Sequence, residues 1–369
     1  MKWCNECVIP STRPNIIIGL DGVCNACRYH KIKSAVIDWK KKKIKLKKIF
    51  LGAKKKSKNN YDCLIPVSGG KDSTWQVLEC LKYKMTPLAV TYKTPGRNQY
   101  GKKNLQNLIK LGVDHIDFTI NPKVEAYFTL KTLKKNGSSA IPMHMTIFNM
   151  PLKIAKSFNI PLIIWGENSA AEYGTKKIKE IKEKMDKKWI NNFGTIDNTN
   201  ASFWKDSFLN DKKMIAYEET KSINKVQSIF LGEFLKWDPK RILKISKKNG
   251  FITPKVSKTG FYNYADIDCD FISIHHYLKW FKFGFTRVFD NLSIEIRNKR
   301  ISRKKAISII KKKMKSIEPK SDIKKFCKYV NISYGEFTRI IEKFRNKQIW
   351  VKKNNKWRIK NFIIKNYDW

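Results

Sequence analysis

The sequence predicts an α/β protein built on a parallel sheet, preceded by a cysteine-bearing head and followed by a mainly helical C-terminal region. Three observations predict it. "YDCLIPV" (61–67), "TPLAVTY" (86–92), "VDHIDFTI" (113–120) and "IPLIIWG" (160–166) are short apolar runs bounded by Pro, Gly or Asn, with helix-length segments between them. The first run ends in "SGGKDS", after which the spacing turns helical. Four cysteines near the start fall as "CNEC" and "CNAC". Near-continuous apolar strands alternating with helices imply a sheet covered on both faces, and in such sheets ligands bind beyond the carboxyl ends of the strands.

The head, residues 1–34, holds Cys4, Cys7, Cys24 and Cys27 in the spacing C-x2-C-x16-C-x2-C. Each pair sets two thiols on one tight knuckle, and two knuckles can close a tetrahedron of thiolates around Zn2+. Two disulfides are the competing reading, which a reducing cytoplasm disfavours, and a redox couple would need only one of the pairs. Four thiolates leave no open coordination position, so the expected zinc ribbon is structural. Cys63, Cys80, Cys269 and Cys327 are isolated; in a strand and a helix, Cys63 and Cys80 are expected to act as small buried hydrophobes.

Residues 35–59 form a lysine-rich connector. Its tract "KKKIKLKKIF" (41–50) reads as a solvated amphipathic helix or a linker. The chain of 369 residues carries a formal net charge of +46, which by itself points to nucleic acid or an anionic membrane. The excess is lysine spread along the whole length rather than an arginine-rich face, so any attraction to polyanions is expected to be nonspecific. The 42% hydrophobic content can fill a core. "NIIIGL" is far too short for a signal or a membrane span, and a cytoplasmic location is expected.

Residues 60–235 carry the sheet. Its first strand ends at Val67, Ser68-Gly69-Gly70 makes the turn, and a helix is expected to begin near Ser73. Glycines let the backbone fold around a bulky anion, and a helix start offers unpaired N–H groups and a partial positive charge. A ligand-free turn is the alternative, with Ser73 capping the helix and Gln76 completing a capping box. A Walker loop would need a hydroxyl after its lysine, whereas Lys71 is followed by Asp72. A carboxylate beside a polyphosphate is repelled unless a divalent cation bridges them, so Lys71 and Asp72 together predict Mg2+ as well as a nucleotide.

Other candidates sit at strand ends. Gly166, Glu167 and Asn168 follow the fourth strand, and Glu167 is a candidate ligand for magnesium or substrate. Thr91, Tyr92 and Lys93 end the second strand, where, by analogy with similar folds, they could border adenine. Arg97 follows in the loop as a candidate phosphate clamp, with a solvated arginine as the alternative. Within residues 236–369, "FTRVFDNLSIEIR" offers Arg287, Asp290 and Arg297, which an ordinary helix salt bridge explains nearly as well. His275 and His276 are adjacent, unsuited to a metal pair on one helical face, and receive no role. "KKFCKYVNISYGEFTRIIEKFRNKQIW" (324–350) looks like a small helix-turn-helix pair whose apolar stripe is more simply core.

"SGGKDS" after a buried strand resembles the pyrophosphate loop of the ATP pyrophosphatase, or PP-loop, superfamily. The resemblance implies an adenine nucleotide alpha hydrolase-like domain that cleaves ATP between the α and β phosphates, with Ser68, Gly69, Gly70, Lys71, Asp72 and Ser73 around the phosphates. Several blocks in order, "CNECVIPSTRPNIIIGLDGVCNAC", "LIPVSGGKDST", "GKKNLQNLIKLGVDHIDFT", "IPLIIWGENSAAEYG" and "YLKWFKFGFTRVFDNLSIEIRNKRISRKKAISII", are similar to the N-acetyl sugar amidotransferases of bacterial surface-polysaccharide clusters, over residues 1 to about 313. What this implies is ATP-dependent conversion of an acetamido group on a nucleotide-activated sugar into an acetamidino group, with Arg287, Asp290 and Arg297 facing the sugar or its nucleotide. It also implies ammonia from a partner glutaminase, with subunits resembling the glutaminase and cyclase of imidazole glycerol phosphate synthase.

Two other classes compete. A PP-loop tRNA-modifying enzyme would also join a zinc ribbon to this loop. Sulfur transfer commonly adds a cysteine pair near the nucleotide, however, and the sequence has no cysteine between Cys80 and Cys269. A zinc-ribbon and helix-turn-helix nucleic-acid binder would have no use for the intact Ser68 to Ser73 loop.

Overall fold

The computed structural model describes residues 1–369 except 59, 177–180, 195, 221–225, 366, 368 and 369. Strands β1 (Cys63–Pro66), β2 (Pro87–Tyr92), β3 (Asp114–Phe118), β4 (Leu162–Trp165) and β5 (Gln227–Phe230) form one parallel sheet in the order β3-β2-β1-β4-β5. The chain builds outward from β1 to β3, then crosses back to lay β4 and β5 on the other side of β1. The order therefore reverses between β1 and β4, which opens a crevice at their carboxyl ends.

Helices α1 (Asn25–Val36) and α2 (Trp39–Ser57) precede the sheet, and α3 (Lys71–Lys82), α4 (Gln99–Ile109), α5 (Pro122–Asn136) and α6 (Ile141–Ser157) connect its first four strands. Short helices α7 (Ser169–Tyr173), α8 (Lys187–Phe193) and α9 (Asp211–Met214) lie between β4 and β5, and α10 (Pro239–Lys248) follows β5. The rest comprises α11 (Ile272–Phe283), α12 (Arg287–Arg297), α13 (Arg303–Lys313), α14 (Lys320–Val330), α15 (Tyr334–Glu342) and a hairpin of β6 (Trp350–Lys353) and β7 (Lys356–Ile359). Asn354 and Asn355, both at positive φ, make the two-residue turn of that hairpin.

The period-2 alternation of the strands assigns the two faces. Cys63, Ile65, Leu162, Ile164 and Ile229 turn toward α2, α3, α4 and α10, while Leu64, Leu88, Val90, Ile163 and Trp165 turn toward α6 and Trp189. The lysine tract takes the amphipathic-helix form: Leu46, Phe50 and Ala53 of α2 are buried in the first of these cores, with the lysines left outside. Asp38 caps the helix and lysines fill its last turn, both favourable to its dipole. Cys63 and Cys80 are buried in the same core as small hydrophobes.

The strand β5 has no counterpart among the runs read from sequence, being only four residues long. The C-terminal helix pair is α14 and α15, and its stripe of Phe326, Val330, Phe337 and Ile341 is core. That core also holds Cys4, Val8 and Ile9 of the head with Trp280 and Phe289, so the two ends of the chain share one interior. Trp3 stacks on Phe289 with ring centroids 5.6 Å apart. Among the described residues no helix is long and apolar enough to cross a membrane.

Phe50 is 2% exposed against the sheet. Phe50→Ala is expected to cost about 3–5 kcal/mol in urea unfolding; a cost below about 1 kcal/mol would show that α2 is not packed on the sheet.

Candidate active site and metal centre

Helix α3 begins at Lys71, two residues earlier than the sequence reading placed it, with Gly70 as its N-cap and no side-chain cap. Ser73 is thus inside the first turn, where its Oγ accepts from Ser68 N at 3.1 Å. Gln76 donates instead to the carbonyl of Ile164 at 3.0 Å, tying α3 to β4, so no capping box forms. Ser246 Oγ of α10 donates to the Lys71 carbonyl at 2.7 Å and fixes the start of the helix. The N–H groups of its first turn have no carbonyl partner within the helix and face the end of β1.

The two glycines have different duties. Gly69, at φ +82, lies so close to α4 that a Cβ would come within 2.6 Å of Leu105 N. Gly70 has an extended backbone, and a Cβ there would meet only Ser68 Oγ, at 3.3 Å. Gly69 makes the turn, and Gly70 leaves open the space that a phosphate would take.

That space is a cavity of about 190 Å³ lined by Ser68, Gly70, Lys71, Asp72 and Glu167, together with Tyr262, Tyr264 to Asp268 and Arg287. Lys71 Nζ lies 2.6 Å from both oxygens of Asp72 and 5.2 Å from the centroid of Trp237. Trp237 Nε1 donates to Asp72 Oδ1 at 3.0 Å. Burial, and then the charge of Asp72, raise the Glu167 carboxyl to about 7 against the pull of Lys71. Burial likewise raises Asp268 to about 6. Carboxyls pressed upward beside Asp72 suit a divalent cation, and Asp72 and Glu167 are the pair that would hold Mg2+.

A second cavity, of about 610 Å³, opens behind the first. Glu167, Tyr173, Asp266 and Arg287 line both and form the partition between them. Arg287 Nε donates to Asp266 Oδ2 at 3.1 Å, and its Nη1 donates to the Tyr173 hydroxyl at 3.3 Å. Burial alone would raise the Asp266 carboxyl, but Arg287 and His276 hold it well below its usual range. Asp290 also lines this cavity and is fully buried, accepting from Arg13 Nε at 2.7 Å.

Several sequence candidates lie elsewhere. Asn168 caps α7 and accepts from Trp189 Nε1 at 3.0 Å, so its side chain is occupied in the fold. Thr91 Oγ1 is 2.8 Å from His115 Nε2, and neither Thr91, Tyr92 nor Lys93 lines the loop cavity. Arg97 is held in a double ion pair with Asp117, at 2.6 and 2.8 Å. Arg297 Nη1 donates to the Glu172 carbonyl at 2.6 Å, and its charge lies near Cys7, Cys24 and Cys27 rather than either cavity. Gly166 lines the larger cavity. His275 and His276 also line it, and Arg13, Asp266, Asp268, Lys279 and Trp237 belong to the two sites although the sequence did not mark them. Arg13 was hidden in "STRPN" between the cysteine pairs, and the others carry no motif.

In the head, the sulfurs of Cys4, Cys7, Cys24 and Cys27 lie within 4.8 Å of one another, all four residues buried. Cys7 Sγ and Cys24 Sγ are 3.7 Å apart, close to the edge of about 3.8 Å that a tetrahedron with 2.3 Å zinc–sulfur bonds would have. Backbone N–H groups of Cys7 and Cys24 donate to Cys4 Sγ at 3.5 and 3.2 Å, and that of Cys27 donates to Cys24 Sγ at 3.4 Å. Donors aimed at sulfur suit thiolates, and these four would hold zinc as a closed structural site. Arg303 Nε donates to the carbonyls of Cys4 and Cys7, and Asn25 Nδ2 donates to that of Thr175. The head is thereby fastened to α13 and to the loop that carries Glu167 and Tyr173.

Three outcomes follow from this geometry. Gly69→Ala is expected to destabilise the fold by more than about 1 kcal/mol, while Gly70→Ala keeps its thermal midpoint but loses phosphate affinity; equal effects on stability would contradict the division of duties. Cys24→Ser is expected to release metal and loosen the head, as read by elemental analysis and proteolysis; unchanged metal content would refute the site. Burial holds the Glu167 carboxyl at about 7 in the fold, above its ordinary value of 4.5, so stability falls as pH rises between them. Glu167→Gln should therefore raise the thermal midpoint of the magnesium-free protein at pH 8 more than at pH 5, and an equal change at both would contradict the assignment.

Residues 258–363 match the family described as LPS biosynthesis protein WbpG-like, C-terminal domain. No curated protein matches the chain. Among solved structures, NMN synthetase from Francisella tularensis shares 13% identity over 60% of this chain and 100% of its own, at a TM-score of 0.26. The fold assignment rests on strand order and the loop after β1, not on that overlap. The family match extends through the C-terminal helices past residue 313, farther than the likeness read from sequence. It spans α11, α12 and Asp266, so the segment similar to a domain of lipopolysaccharide biosynthesis proteins contributes part of the wall of both cavities, and it supports the family resemblance carried by the sequence.

Proposed function

We propose that the protein is an ATP-dependent, AMP-forming amidotransferase, which converts an acetamido group of a nucleotide-activated sugar into an acetamidino group during synthesis of a bacterial surface glycan. The observation that carries this reading is the partition of Glu167, Tyr173, Asp266 and Arg287, shared by the loop cavity and the larger cavity. A two-substrate transfer needs its reacting atoms at such a boundary. The match of residues 258–363 to a lipopolysaccharide biosynthesis domain supports the glycan context.

An amide carbon is a poor electrophile because its oxygen leaves poorly. In the proposed reaction the acetamido oxygen attacks the α-phosphorus of ATP, the bond to the β-phosphate oxygen breaks, and pyrophosphate leaves. Ammonia then adds to the activated carbon, the carbon–oxygen bond breaks, and AMP departs. Gly70 and the N-terminus of α3 cradle the phosphates, Lys71 neutralises them, and Arg287 stands at the partition where charge develops on the transferred group. Mg2+ held by Asp72 and Glu167 would supply further charge neutralisation. Ammonia is mostly protonated at neutral pH, so a glutaminase partner with a cyclase-like companion, similar to those of imidazole glycerol phosphate synthase, is proposed as its source. The cytoplasm, where nucleotide sugars and ATP are found, is the proposed location.

Purified protein incubated with ATP, magnesium, ammonium and a panel of acetamido sugar nucleotides is expected to release AMP and pyrophosphate only when sugar and ammonium are both present. Asp72→Ala should lower the rate by at least about a hundredfold with the fold and the zinc content of the head unchanged. AMP formation driven by tRNA and indifferent to sugar nucleotides would contradict the proposal.

A further inference from the structure

The larger cavity has a wall whose chemistry the reaction alone does not explain. Four cations line it: Arg13 from the cysteine head, Lys279 and Lys282 of α11, and Arg287 of α12. Lys282 Nζ donates to the Asn136 carbonyl at 2.9 Å. Asp266 and Asp290 offset two of them, through Arg287 and Arg13 respectively. Lys279 has no carboxylate within 4.0 Å among the described residues; its Nζ is 3.3 Å from His276 Nδ1. Burial lowers the Lys279 ammonium to about 8, with Asp290 pulling the other way and Arg287 and Arg13 adding to the fall. His276, facing it, is lowered by burial to about 4 and adds no charge at neutral pH. Lys279 is therefore a cation whose desolvation no fixed carboxylate offsets.

Arg13 is placed with equal specificity. Its Nε is bound to Asp290 at 2.7 Å, and its Nη1 donates to the carbonyls of Pro14 and Tyr173 at 3.2 and 3.3 Å. The guanidinium packs 5.0 Å from the Tyr173 ring centroid. Its Nη2 has no hydrogen-bond partner among the described residues. The segment that carries it is anchored on both sides, by Thr12 Oγ1 to the Phe283 carbonyl at 2.6 Å and by Asn15 Nδ2 to the Asn192 carbonyl at 3.2 Å. Asp290 Oδ2 is buried without a hydrogen-bond partner and lies 4.0 Å from Arg287 Nη1. A fully paired, closed salt-bridge network would leave neither an idle guanidinium nitrogen nor an unpaired ammonium beside an open space of this size.

We propose that this wall is an anion subsite, at which Arg13 and Lys279 bind a phosphate or carboxylate of the acceptor and so make the cysteine head part of the substrate site. It rests on reading the larger cavity as the acceptor's. An arginine fork and a lysine point charge together suit an oxyanion with several acceptor oxygens. The diphosphate of a nucleotide-activated sugar and the carboxylate of an acidic sugar share that chemistry. Arg13 and Lys279 are positioning residues here, setting where the acetamido group falls relative to the partition.

The test is calorimetric titration of the full chain, with the loop cavity saturated by magnesium and α,β-methylene ATP, which cannot release AMP. Three probes are compared: UDP-N-acetylglucosamine, N-acetylneuraminate and neutral N-acetylglucosamine. An anionic probe is expected to bind more tightly than the neutral one, and whichever of the two anions binds better assigns the wall to diphosphate or to carboxylate. Lys279→Gln breaks no ion pair and is expected to weaken the anion by about tenfold or more, leaving the affinity for the ATP analogue and the metal content unchanged. Arg13→Ala should act in the same direction, with Arg13→Lys restoring part of the loss. Equal anion affinity in wild type and Lys279→Gln, a neutral probe bound as well as the anions, or no binding of any probe to the wild type would each overturn the proposal. Anion binding that persists in a protein unable to form AMP would count against the proposed reaction and leave the subsite standing.

Discussion

Where β1 ends, the chain must turn against the backbone of α4 with no room for a side chain, and Gly69 at φ +82 meets that demand. Everything at the site is referred to this turn. It sets Gly70 with its open side outward, it aims the first turn of α3 at the same space, and it brings Lys71 and Asp72 to the mouth of the crevice between β1 and β4. The sheet order supplies the crevice. The turn determines what faces into it.

The second constraint is electrostatic. Burial and the charge of Asp72 raise Glu167, and the pull of Lys71 and Arg287 does not cancel them. Such a site is poised for a ligand that brings opposite charges together, as a metal and a polyphosphate do. The partition extends the same logic into the larger cavity, where Arg287 holds the Asp266 carboxyl low against its burial. The cysteine head, at the far end of the sequence from α12 and α13, is bound to both by Arg303 and the Arg13–Asp290 pair. It therefore braces the loop from Glu167 to Tyr173 as well as folding its own knuckles.

How much of this could be read in the sequence depends on how local the physics is. The loop, the four cysteines and the apolar strands β1, β2 and β4 are legible because turn chemistry, ligand spacing and burial are properties of neighbouring residues. The end of α3 was misplaced because a glycine N-cap carries no side-chain signal, whereas Ser73 and Gln76 mimic one. Arg97, Asn168 and Arg297 looked functional by position, yet each is committed to a structural partner that only the tertiary fold supplies: Asp117, α7 with Trp189, and the Glu172 carbonyl. Arg13, Asp266 and Lys279 escaped notice for the opposite reason. They come from separate segments that share a wall only after the head, the loop before α11 and α11 itself have packed.

The claim on which the whole account turns is that the Ser68 to Ser73 loop holds the triphosphate of ATP through backbone and metal. Calorimetric titration of the wild-type protein with ATP, in the presence and absence of magnesium, tests it most directly. The account predicts one saturable site that is strengthened by magnesium and that adenosine alone does not fill. No heat of binding under either condition, or the same affinity for adenosine as for ATP, would contradict it.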